Sequence, residues 1–141
     1  MELNANEQIK IAIYPTGMRS ETYYFVLNAD GGLIVEKGTR VADDITQSPF
    51  IIKDSVYDYG TEQKQLSFSE ISVIIDLASK VYEGDFNTED RIIRDSWEVQ
   101  ILYKNKVIKQ NYWVDIAPEV KELVDEFINV SPIEVNLREF A

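Results

Sequence analysis

From Ser96 to Val114 the chain alternates in a way that leaves few folds open to it. Trp97, Val99, Ile101 and Tyr103 fall on one side, and Glu98, Gln100, Leu102 and Lys104 on the other, the period-two pattern of a strand. Asn105-Lys106 then offers a two-residue turn, because Asn tolerates positive φ. Counting outward from that turn pairs Lys104 with Val107, Tyr103 with Ile108, Ile101 with Gln110, Val99 with Tyr112 and Trp97 with Val114. Residues directly opposite share a face, so Trp97, Val99, Ile101, Tyr103, Ile108, Tyr112 and Val114 form one apolar surface of a β-hairpin. A slip of one residue would turn that surface to water, which pins the register.

The segments before the hairpin are also strand-like. Ile9, Ile11 and Ile13 alternate with polar or small residues, and Pro15 is expected to stop that strand. Thr22 to Leu27 is aromatic, β-branched and apolar on both faces, as in a central strand. Asn28 to Gly32 is a turn signal, and Leu33 to Lys37 returns as its partner. Phe50 to Lys53, with Val56-Tyr57 beyond, reads as a fourth strand; Asp58 to Gln65 is either a loop or its extension. Two helices interrupt this pattern. Ser67 and Glu70 make a capping box, Leu66 and Ile71 a staple, and Gly84 is placed to end the first helix. Its apolar stripe is Phe68, Ile71, Ile74, Ile75, Ala78, Val81 and Tyr82. Pro118 opens the second, with Val120, Leu123, Val124, Phe127 and Ile128 inward and Pro132 barring continuation. Ile133, Val135 and Leu137 alternate once more and suit a short last strand.

The 141 residues fit a single domain, 1–141. The expected architecture is α+β: one layer of mostly antiparallel sheet, about six strands, with two helices on one face, in the order β-β-β-β-α-β-β-α. The opposite sheet face is expected to be solvated or used for contact.

Composition narrows the chemistry. With neither Cys nor His, the chain has no disulfide, no thiolate nucleophile, no Cys-ligated metal and no imidazole base or ligand. Net charge is −11, which repels nucleic acid and anionic lipid and favours a basic partner. The charge is uneven. Arg91, Arg94, Lys104, Lys106 and Lys109 face only Asp95 and Glu98, a local +3, so the rest carries −14. Lysines there can guard a hairpin edge or present a basic patch to an acidic partner. No window is apolar enough for a membrane helix, and the start lacks a leader's pattern, so a cytoplasmic location is expected.

Candidate chemical motifs fail on inspection. Asp85 to Asp90 alternates oxygen ligands like a calcium loop, but the sixth and twelfth positions hold Asp90 and Ser96 instead of Gly and a bidentate carboxylate. Gly31-Gly32 precedes a strand, not the helix a phosphate cradle requires. Asp43-Asp44 reads as a solvated pair, and Ser67 and Ser69 with Glu70 read as caps rather than a nucleophile and base. No cofactor is implied and no catalysis is expected; an enzyme of this composition would have to use carboxylates, Lys, Tyr, Ser or Thr, or a hard metal held by oxygens, the last being the one catalytic class left fully open.

What remains is an aromatic and basic patch. In the register above, Trp113 lies opposite Glu98, near Leu102, Val107, Lys104 and Lys109, an apolar group ringed by lysine as at a protein interface. The order of elements loosely resembles that of small bacterial inhibitors and immunity proteins built from a sheet with two helices, although no motif carries the likeness. The expected role is a non-catalytic protein-binding module, inhibitor- or immunity-like, acting as a monomer or weak homodimer on another protein. The alternative is a small-molecule binding module with a pocket between sheet and helices.

Overall fold

A computed structural model describes residues 7–16, 21–40, 56–84 and 96–137. Strands β1 (Ile9–Thr16), β2 (Glu21–Leu27), β3 (Gly32–Arg40) and β4 (Val56–Gln65) are followed by helix α1 (Phe68–Glu83). The hairpin strands β5 (Ser96–Tyr103) and β6 (Lys106–Asn111) come next, then helix α2 (Pro118–Val130). All six strands form one open antiparallel sheet in the order β4-β3-β2-β1-β5-β6. The fold is therefore α+β with the expected element order. No strand follows α2 among the described residues, although Ile133 and Val135 pack on the core and Leu137 is buried.

One face of the sheet carries Ile9, Ile11, Ile13, Tyr23, Phe25, Leu27, Leu33, Val35, Trp97, Val99 and Ile101, and both helices bury their stripes on it. Phe25 meets Phe127 of α2 edge to face at 6.0 Å. Between sheet and helices, beside Ala78, Ile101 and Leu123, is a cavity of about 10 Å³, room for a single water. The helix starts follow their sequence signals. The Ser67 hydroxyl accepts from the Glu70 N–H, the Glu70 carboxylate accepts from the Ser67 N–H, and Pro118 opens α2. Gly84 ends α1, but at φ −74°, so its stop does not use glycine's left-handed freedom. A lysine from each edge strand meets a helix C-terminus. Lys106 of β6 donates to the Tyr82 and Gly84 carbonyls at 3.0 and 2.8 Å, and Lys64 of β4 to the Val130 carbonyl at 3.3 Å.

Several expectations need correction. Pro15 does not stop β1: it pairs with Trp97 of β5, on a stretch beyond Ile13 where the ladder with β2 has ended and proline is tolerated. Of the two readings of Asp58 to Gln65, the strand extension holds rather than the loop, because pairing with β3 outweighs its polar composition; Gly60 through Gln65 are exposed, as suits a charged edge. Phe68 is 79% exposed and lies off the buried stripe. The second sheet face is not simply solvated: Ala12, Tyr14, Thr22, Tyr24, Glu36, Glu98 and Gln100 on it are buried. Phe50 to Lys53, Asp43-Asp44, the Asp85 to Asp90 loop, Arg91 and Arg94 lie outside the described residues.

The hairpin register differs by two residues from the count outward from Asn105-Lys106. The turn is Lys104-Asn105, with φ +50° and +65°, because a tight hairpin turn of this hand takes positive φ at both central residues. Tyr103 therefore pairs with Lys106, Leu102 with Val107, Ile101 with Ile108 and Glu98 with Asn111. A two-residue shift leaves every side chain on its face, so the apolar surface survives, except Val114, which lies beyond the ladder and is exposed.

Candidate functional site

The corrected register separates the five residues of the aromatic and basic patch. Leu102 and Val107 are directly opposite on the second sheet face, packed with Ala12, Tyr14 and Tyr24, and Lys109 lies on the same face. Lys109 reaches Glu98 at 3.5 Å. Lys104, in the turn, instead directs its ammonium to the rings of Tyr103 and Tyr82, at 5.2 and 5.3 Å. With Lys106 capping α1, all three hairpin lysines have partners within the molecule.

Around Lys109 the second face holds a polar cluster. Tyr14 donates to Glu98 Oε2 at 2.6 Å, and Gln100 donates to the Tyr14 hydroxyl at 2.9 Å. Glu98 Oε1 and the Nδ2 of its cross-strand neighbour Asn111 are buried, with no hydrogen-bond partner among the described residues. Tyr24, opposite Glu36 on this face, has its phenol pushed above the usual tyrosine range by burial and then by the Glu36 charge.

Trp113 sits elsewhere. Asn111 ends β6 and redirects the chain: its Oδ1 accepts from the Ser96 hydroxyl at 3.0 Å and from the Trp113 and Val114 N–H groups at 2.9 Å each. Three donors on one buried oxygen fold the backbone away from the ladder, and Asp115 completes the bend at φ +54°. Trp113 is left 42% exposed, its Nε1 donating to the Leu137 carbonyl at 2.8 Å and its ring edge-on to Tyr112 at 5.1 Å. It forms one wall of an open groove of about 520 Å³ between the end of β6, α2 and the segment after α2, with Tyr112, Asp125, Ile128, Asn129 and Val135 among its lining.

The polar end of this groove is a linked set. The Tyr112 hydroxyl donates to Asp125 Oδ1 at 2.6 Å, and Lys121 Nζ donates to Asp125 Oδ2 at 2.7 Å and lies 4.9 Å from the Tyr112 ring centre. Burial and then the bond to Asp125 raise the Tyr112 phenol above its ordinary value, and the Asp125 hydrogen bond raises Lys121. Both raised values keep these donors protonated, so the set is intact at neutral pH and is lost as pH climbs through the alkaline range. Lys121 and Asp125 stand four apart on a helix and could have been paired from the sequence. Asn111 has a local signal only in part: its bonds from the Trp113 and Val114 N–H groups make an Asx-type turn, but the bond from Ser96 comes from the far end of the hairpin.

No group of three or more acidic side chains among the described residues could hold a metal ion, and no described helix is long and apolar enough to cross a membrane. Compared with known proteins, the chain matches no family model and no curated protein.

Proposed function

We propose that this protein is a non-catalytic protein-binding module whose recognition centre is the Trp113 groove. The observation that carries the reading is a half-exposed tryptophan fixed before any partner arrives: its indole N–H is satisfied by Leu137, its ring rests on Tyr112 and its backbone is held by Asn111. An aromatic anchor immobilised in advance loses little conformational freedom on docking, which is what makes such residues dominate interface energies. An inhibitor- or immunity-like role is the concrete form, and a cytoplasmic partner is consistent with the composition. Leu102, Val107 and Lys109 form a separate patch on the other sheet face, so the two surfaces can be tested apart.

Capture of partners from a lysate of the source organism, comparing the natural protein with Trp113→Ala and Leu102→Ser variants of verified fold, tests the reading. A partner lost on Trp113→Ala and kept on Leu102→Ser supports the groove. Loss on Leu102→Ser alone moves recognition to the hairpin face, and capture insensitive to both removes the proposed site.

A further inference from the structure

At the edge of the groove beside Trp113, two of its lining residues, Tyr112 and Asp125, already meet one cation, and it is the protein's own. Lys121 is met by the Tyr112 ring at 4.9 Å and by Asp125 at 2.7 Å, an aromatic face and a carboxylate offered to one positive charge. Trp113, edge-on to Tyr112 in the same groove, presents a second aromatic surface that is open to solvent and belongs to the residue type that attracts cations best. The surrounding charge points the same way. Between Tyr112 and Leu137 the chain carries Asp115, Glu119, Glu122, Asp125, Glu126 and Glu134 against Lys121 alone, a local −5. That field favours a cationic guest and speeds its approach. Arginine fits better than lysine, since a planar guanidinium stacks on an indole while its N–H groups remain free for a carboxylate.

We infer that the groove is the seat of an arginine side chain of a protein partner, stacked on Trp113 and directed at Asp125, for which it competes with Lys121. The inference rests on the protein-binding reading above and names the chemistry of the partner's anchor. Lys121 then acts as an internal placeholder that keeps the Asp125 carboxylate paired while the groove is empty of its guest.

The full chain titrated with acetyl-Gly-Arg-Gly-Arg-Gly-amide, and with the same peptide carrying neutral citrulline for arginine, tests this by NMR at millimolar peptide. The Trp113 indole N–H should shift with the arginine peptide, while that of Trp97, buried in the core, stays put. Citrulline should weaken binding at least about tenfold. Trp113→Ala should abolish the shifts of neighbouring backbone amides, and Lys121→Met, by freeing Asp125, should tighten binding several-fold. Equal response to the two peptides, or none to either, overturns the arginine seat; a Lys121→Met variant that binds no tighter overturns the contact with Asp125. Partner capture that requires Trp113 while both peptides behave alike would keep the protein-binding reading and discard the arginine. A Trp113 shift specific to arginine, with capture indifferent to Trp113→Ala, would do the reverse.

Discussion

Glu98 shows how much a single buried carboxylate depends on its neighbours. It is 3% exposed, accepts from Tyr14, pairs loosely with Lys109 and has one oxygen with no partner among the described residues. Tyr14→Phe removes the 2.6 Å hydrogen bond that Glu98 accepts and should lower stability by about 1–3 kcal/mol, measured by denaturant unfolding, because a buried acceptor is left less satisfied. Gly31 is sensitive for a different reason. At φ +87° a side chain is strained, and an added Cβ would collide with Ile71 Cδ1 and come within 2.8 Å of Gln65 Nε2. Gly31→Ala should therefore cost about 1–2 kcal/mol, mainly from backbone strain because both crowded atoms are side-chain ends that can shift, read as a lowered denaturation midpoint. The two residues were not equally legible. Gly31 lies in an Asn-Ala-Asp-Gly-Gly turn that any reader would mark, whereas Tyr14 and Glu98 are 84 positions apart and nothing local links them.

At the scale of elements, the start of α1 carries a pH signature. The Ser67 backbone N–H, and then its side chain, hold the Glu70 carboxyl below its usual range, with Lys64 assisting. A folded value below the unfolded one means the contribution is present above the unfolded value and drains away as pH falls through the folded one. Glu70→Gln should thus lower the unfolding midpoint at neutral pH, and the gap from the parent should close in acid. In the hairpin, Asn105 at φ +65° predicts that Asn105→Val costs about 1–2 kcal/mol while Asn105→Gly is near neutral, a comparison thermal melts resolve. Helices and hairpin were readable because their signals are local: a capping box, a proline, an alternation. The hairpin's faces were readable too, since they depend only on odd and even positions, but its register was not. Turn placement rests on φ at Lys104, a residue type with no marked taste for positive φ. The Trp113 groove was not legible in the sequence for a related reason. Trp113 was placed by extending the ladder, and the buried Asn111 ends that ladder two residues earlier.

On the scale of the whole molecule, the two helices are fastened by lysines from the two edges of the sheet. Lys106→Met strips the last α1 carbonyls of their donor and should cost about 1–2 kcal/mol, with α1 amides near Tyr82 losing protection in hydrogen exchange. The centre of the sheet has a different character. β1 pairs on one side with β2, close in sequence, and on the other with β5, from Ile9 opposite Tyr103 to Thr16 opposite Ser96. The β2–β3 pair and the β5–β6 hairpin can each zip from a local turn, but the β1–β5 seam joins residues at least 80 positions apart in sequence, the separation of Thr16 from Ser96. Refolding should accordingly take milliseconds to seconds rather than microseconds. During synthesis the middle strand keeps one bare edge until Tyr103 has been made, so the nascent chain exposes the very isoleucines that later lie deepest.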